Sequence, residues 1–331
     1  MAITKNEIND TIYKLAIDLG SANLKIATKI DDKEYKFKKI KSSVSTNAID
    51  KNYVVSTSSN TLYFGVGDSL IQQDKTKREY IEETILLAAS LMFEDIEGVL
   101  KIDLAIGLPL DLYKSENKRA YFDSRLQNIT NGSPISGNVN GKDIIVKVNS
   151  TIICAEGYSS FLSLNNKMNV TEPLVLIDSG YRTTDILAID ISNEDKELII
   201  GDFKTFNKGM LEVFEDIQKQ FLNDTGHNFS IETVENRILN SPTLTIGNDK
   251  IDIHNWVKYG AHTVKEILKL IELAIPDVAS RNVYLVGGGS VLFKEIIDFL
   301  NKDGQTDIKA ELVGNIDELI YANVAGYHMQ L

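Results

Sequence analysis

Two short runs combine an aspartate, a glycine and small hydroxyl or amide residues in an order suited to holding phosphate. The first is Asp18-Leu-Gly20-Ser21-Ala-Asn23-Leu-Lys25, and the second is Asp178-Ser-Gly180-Tyr-Arg-Thr183-Thr184-Asp185. Glycine lacks a Cβ, so the backbone N–H groups around Gly20 and Gly180 can approach an anion closely. Ser21 and Asn23 in the first run, and Thr183 and Thr184 in the second, add short donors. Lys25 adds a point positive charge for a terminal phosphate. Asp18 and Asp178 would repel that phosphate unless a divalent cation lay between them. This argues for Mg2+ held through water by both carboxylates. The plain alternative for either run is a hairpin in which aspartate is a turn former. Asp185 suits the stabilisation of its own turn as well as a hinge between two halves.

Two further features fit the same chemistry. Gly287-Gly288-Gly289-Ser290 follows an apolar strand and precedes a helical pattern. A flat adenine ring could lie close to such a backbone, near the N-terminus of the following helix. Glu156 follows the apolar run Thr151 to Cys154 and is expected to open a helix. From there its carboxylate could orient or polarise a water attacking a γ-phosphate. Its plain alternative is a helix-start carboxylate favoured by the dipole.

The elements that must position these residues repeat. Residues 13–30 read as strand, glycine turn, strand, with a third strand over 34–40. Residues 174–189 read the same way, followed by a strand over 197–206. Between these blocks the spacing predicts strands at 53–56 and 61–66, ending at Gly65-Val-Gly67-Asp68. It then predicts an apolar-faced helix over 76–95 and a buried strand at 102–106 that stops at Pro109. A polar helix over 115–127 and a loop marked by Gly132, Pro134 and Gly137 come next. Asn140-Gly141 is a hairpin turn before a strand at 144–153, and a helix is expected over 156–164. The second half continues with helices over 207–221, 230–239, 256–274, 292–300 and 319–328, and a strand at 283–286.

A chain of 331 residues exceeds the size at which a single core keeps growing, so two domains are expected. The formal charge of −12 does not suit direct binding to nucleic acid, which depends on Lys and Arg displacing counterions. The local basic run Lys33 to Lys41 reads as a solvated strand and loop. A single cysteine, Cys154, excludes an intrachain disulfide and reads as a small core residue. The four histidines show no metal-site spacing. The polar N-terminus, the lack of a membrane-spanning apolar run and the lack of a basic amphipathic tail at Gly326–Leu331 predict a cytoplasmic protein with no membrane partner.

The motifs, taken together, resemble the actin-like ATPase superfamily. Asp18-x-Gly20-x-x-Asn23-x-Lys25 is similar to its first phosphate motif, and Asp178-x-Gly180-x-x-Thr183-Thr184-Asp185 to its second. Val286 to Ser290 is similar to its adenosine motif. Cys154-Ala-Glu156-Gly157 and Ala322-Asn-Val-Ala-Gly326 resemble the two connecting helices. Within the superfamily, Gly107-Leu-Pro-Leu110 with Tyr113 resembles the bacterial plasmid-segregation actins of the ParM (StbA) group. Tyr181 and Arg182 stand where those relatives carry smaller residues.

The resemblance implies an α/β, duplicated actin-like (ribonuclease H-like) fold with two lobes around a nucleotide cleft. Domain I would span 1–165, with a smaller subdomain near 33–98, and be completed by a helix at 318–331. Domain II would span 170–317, with a variable subdomain near 207–275. Glu156 and Asp178 would be catalytic and Mg2+ the metal. Gly287, Gly288, Gly289 and Ser290 would hold adenosine, with Lys208 and Glu212 as candidate ribose contacts. The implied activity is a filament-forming ATPase, using ATP or GTP, that moves plasmid DNA through a DNA-binding adaptor of ParR type. A small-molecule kinase and a chromosomal cytoskeletal or assembly relative are the competing expectations.

Overall fold

The computed structural model describes residues 11–331 apart from 31–33, 47–52, 66–78, 96–97, 193–196, 241–242 and 247–248. The expected Gly67-Asp68 turn, the first residues of the helix at 76 and Lys33 lie outside the described residues. The chain divides into two compact units, residues 1–163 with 323–331, and residues 164–322.

In the first unit, strands β1 (Ile12–Asp18), β2 (Asn23–Ile30) and β3 (Glu34–Lys41) form an antiparallel meander. Strand β7 (Val99–Leu108) pairs parallel with β1, and β9 (Lys142–Ala155) pairs parallel with β7. The sheet continues through β8 (Ile135–Val139) to the short strands β5 (Tyr53–Ser56), β6 (Thr61–Phe64) and β4 (Val44–Ser45), making nine strands. Helix α1 (Ile81–Met92) buries Ile81, Ile85, Leu86 and Ala89 against this sheet's core, which includes Leu15, Ile17, Ile102 and Leu104. Each leucine or isoleucine among them contributes about 1.5–3 kcal/mol when fully buried.

The second unit repeats that core pattern. Strands β10 (Leu174–Ser179), β11 (Thr184–Ile191) and β12 (Leu198–Phe206) are an antiparallel meander. Strand β15 (Asn282–Val286) joins parallel to β10, and β16 (Ala310–Leu312) parallel to β15. The order β12-β11-β10-β15-β16 thus matches β3-β2-β1-β7-β9 strand for strand. Strand β10 is buried throughout and β1 from Leu15 to Asp18, the stretches that lead into the turns. The second unit's own core joins Val175, Ile177 and Leu285 to Val213, Ile217, Ile267, Ile271 and Phe293 from the helices.

Several elements differ from expectation, each for a local reason. Gly137 lies in strand β8 rather than in a loop. A Cβ there would meet the Ser56 carbonyl at 2.6 Å, so close strand approach, not a turn, requires the glycine. The helix expected from Glu156 begins at Tyr158, because Gly157 takes a positive φ of 71°. The helix expected from Asn207 begins at Met210, after Gly209. The one predicted over 256–274 is a 3₁₀ segment, Ile253–Gly260, followed by a helix over Ala261–Ala274. The pair Thr243–Ile246 and Asp249–Asp252, and strand β16, carry no signal strong enough to be read beforehand. Asn140-Gly141 is the expected hairpin turn, with φ of 51° and 90°.

Candidate nucleotide site

The two glycine turns are built alike. Each joins the first two strands of its unit, β1 to β2 and β10 to β11. A Cβ at Gly20 would lie 2.7 Å from the Asn23 carbonyl oxygen, and one at Gly180 would lie 2.8 Å from the Thr183 carbonyl oxygen. Only glycine lets either turn close so tightly. The Gly180 N–H donates to the Thr183 carbonyl at 2.9 Å.

In the first turn, Asp18 is buried and its Oδ2 accepts from Lys25 Nζ at 2.9 Å. The two residues face each other across the β1–β2 ladder, which places their side chains on one face. The Lys25 charge, expected to serve a phosphate, is therefore committed to Asp18. Asp18 Oδ1 points toward Gly20. Ser42 Oγ braces the turn by donating to the Gly20 carbonyl at 2.5 Å. Ser21 and Asn23 are half-buried at the rim.

In the second turn, Asp178 and Asp185 are both buried and face each other across the β10–β11 ladder. Thr205 donates its hydroxyl to Asp185 Oδ1, and Thr183 Oγ1 donates to Asp185 Oδ2 at 3.4 Å. Asp185 thus stabilises its own turn. Thr184 is fully buried and its hydroxyl donates to the Lys208 carbonyl at 2.8 Å, so Thr183 has the less committed hydroxyl of the two. The turn also caps a helix, α5 (Met210–Thr225). The Met210 and Leu211 N–H groups donate to the carbonyls of Gly180 and Tyr181 at 3.0 and 2.8 Å. Gly209 makes this fit possible, since a Cβ there would press on the Gly180 and Tyr181 carbonyls at 2.7 Å.

The glycine triplet packs against the same turn. Gly289 N–H donates to the Ser179 carbonyl at 3.1 Å, and Ser179 Oγ donates to the Val286 carbonyl at 3.2 Å. Side chains at Gly287 or Gly289 would collide with Asp178 Oδ1 or Met210, whereas Gly288 is exposed and has open space beside it. Ser290 is buried, opens helix α8 (Ser290–Lys302) and donates its hydroxyl to the Gly287 carbonyl at 2.8 Å. Of the candidate ribose contacts, Lys208 pairs with Glu266, and Glu212 Oε2 accepts from the Gly209 N–H at 3.0 Å.

Glu156 occupies the turn between β9 and helix α4 (Tyr158–Leu164), half-buried, with its N–H donating to the Leu108 carbonyl at 2.9 Å. That turn is held by Asn323 of the final helix, α9 (Ile316–Met329). Asn323 Oδ1 accepts from the Gly157 N–H at 2.9 Å and from Ser160 Oγ at 2.8 Å. A Cβ at Gly326 would collide with the Ser159 backbone, and one at Gly107 with the Tyr327 ring, so glycine is needed at both positions. Asn323 was legible only as part of a motif. Its role depends on a contact between residues distant in the chain. Cys154, one residue before this turn's strand end, is buried, and burial pushes its thiol up to about 12.

Each glycine turn thus has a buried carboxylate at its root and short donors at its rim. Comparison with known proteins gives the class. A family model described as actin like proteins, N-terminal domain, matches residues 16–158. A second, described as archaeal actin homologue MreB-like, C-terminal, matches residues 176–298. The chain is thus similar to actin-like proteins over two successive stretches, and it has the duplicated actin-like fold. Its structural neighbours are of the ParM and archaeal actin kinds. A non-polymerisable quadruple mutant of pCBH ParM aligns with a TM-score of 0.71 at 19% identity, covering 97% of this chain and 99% of that one. An archaeal actin homologue in complex with ADP aligns at 0.69 and 21% identity, over 96% and 98% of the two chains. A ParM from a 15-stranded filament of Clostridium botulinum aligns at 0.67 and 18% identity, over 97% and 100%. No curated protein matches the chain in sequence. No helix among the described residues is long and apolar enough to cross a membrane.

Proposed function

We propose that this protein is a nucleotide-dependent, filament-forming ATPase that segregates plasmid DNA through a DNA-binding adaptor of ParR type. The observation that carries the reading is the repeated five-stranded sheet, which sets an Asp-x-Gly turn at the same topological place in each unit. The relatives bound to ADP and assembled in a filament support it.

In this reading Gly20, Ser21, Asn23, Gly180 and Thr183 bind the phosphates of ATP, and Thr184 and Lys25 shape their turns. Gly287 to Ser290 face the adenosine, with Lys208 and Glu212 near the ribose. Asp18 and Asp178 hold Mg2+ through water. Magnesium, when bound, neutralises phosphate charge. Glu156 orients the water that attacks the terminal phosphate. Subunits join head to tail, and a heterologous contact that does not close yields an open filament. An adaptor is needed because a chain of charge −12 is poorly suited to grip DNA itself.

The test is sedimentation and electron microscopy of the purified chain with Mg2+ and ATP. Polymer that forms with ATP and not without nucleotide is the expected result. A monomer at all micromolar concentrations and salts would reject the reading.

A further inference from the structure

The two glycine turns differ in where they carry a cation. By strand register, Asp18, Gly20, Asn23 and Lys25 of the first turn correspond to Asp178, Gly180, Thr183 and Asp185 of the second. The first turn's cation, Lys25, is tied to Asp18. The second turn's cation is Arg182, whose counterpart is Ala22. Arg182 forms no ion pair among the described residues, and its Nε is buried with no hydrogen-bond partner.

We propose that Arg182 supplies the side-chain positive charge that binds the terminal phosphate at the second turn. This rests on the reading of residues 178–185 as a phosphate turn. The backbone around Arg182 is fixed. The Tyr181 carbonyl accepts from the Leu211 N–H at 2.8 Å, and the Tyr181 ring lies 6.5 Å from that of Phe214. The guanidinium Nε has no such partner. Glu215 on helix α5 lies within its electrostatic reach. Burial, Glu212 and Asp216 all raise the Glu215 carboxyl, and only Arg182 opposes them. A buried donor without an acceptor is unfavourable, and the planar guanidinium matches phosphate oxygens two at a time. Lys25 cannot serve in its place without abandoning the buried Asp18 carboxylate.

The experiment is calorimetric titration of the full chain with ATP, ADP and AMP in Mg2+ buffer, comparing the unaltered chain with Arg182→Ala, Arg182→Lys and Arg182→Gln. Arg182→Ala is expected to weaken ATP binding roughly 10–100-fold more than AMP binding, the range for hydrogen bonds to charged groups. Arg182→Lys should recover only part of this, since lysine is a point charge. Thermal midpoints without nucleotide should be little changed. If Arg182→Ala fails to fold, Arg182→Gln, which keeps a planar donor, reads the same ratio. An ATP-to-AMP affinity ratio unchanged in a folded Arg182 variant would overturn the proposal. Failure of the unaltered chain to bind ATP would overturn the nucleotide reading itself, and this one with it.

Discussion

The first and second halves share one sheet plan but partner their buried carboxylates differently. At the first turn a cation does it: Lys25 pairs directly with Asp18. At the second, hydroxyls do it: Thr205 and Thr183 donate to Asp185. The halves also differ at the end of the fifth strand. After β9 come Glu156 and a left-handed Gly157, and after β16 come Val313 and a left-handed Gly314. The same backbone device therefore presents a carboxylate in one half and a buried valine in the other. The two units share the strand order and the glycine turns and differ in the side chains placed on them.

The largest expected effect is at that last position. Glu156→Ala should slow ATP hydrolysis roughly 10²–10⁴-fold while assembly persists, and Val313→Ala should leave hydrolysis nearly unchanged. Steady-state phosphate release measures both, and an unaltered rate in Glu156→Ala would remove the asymmetry.

Next is the partnering of the carboxylates. Lys25→Met should cost about 3–5 kcal/mol by leaving Asp18 buried and unpaired. Adding Asp18→Asn should restore most of that. Thr205→Val should cost less, about 1–3 kcal/mol for one donor. Urea unfolding ranks them, and the reverse order would contradict the comparison.

The shared feature gives a matched pair. Gly20→Ala and Gly180→Ala should each destabilise by about 1–3 kcal/mol, because each forces a Cβ against a carbonyl of its own turn. Gly288→Ala should fall within about 0.5 kcal/mol, since nothing stands beside it. Unequal costs for Gly20 and Gly180 would mean the turns are not built alike.

The smallest effect concerns Cys154, whose counterpart near the end of β16 is the exposed Glu311. Burial raises the thiol from its ordinary value of 9.0 to about 12, so the reactive thiolate is scarce at pH 8. A disulfide-forming thiol reagent should therefore modify the folded protein slowly and the unfolded protein promptly.

The turns were legible in the sequence because their chemistry is local. Glycine, aspartate and apolar flanks fall within eight residues, and the strand–turn–strand repeat follows from them. The Lys25–Asp18 pair became visible only with the register that sets them opposite. The clamp of Asn323 on Gly157 could not be seen, because it joins residues far apart in the chain. Strand β16 was missed because three residues carry too little periodicity, and its pairing with β15 decides it. The helix starts at 156 and 207 were misplaced because Gly157 and Gly209 each delay the first turn.

The proposed function requires that both turns serve one nucleotide. Calorimetric titration of ATP in Mg2+ buffer tests it most directly, on the unaltered chain and on Asp18→Asn and Asp178→Asn separately. The account predicts one ATP per chain, with affinity falling sharply in either variant. Two independent binding events, or full affinity after either single substitution, would contradict it.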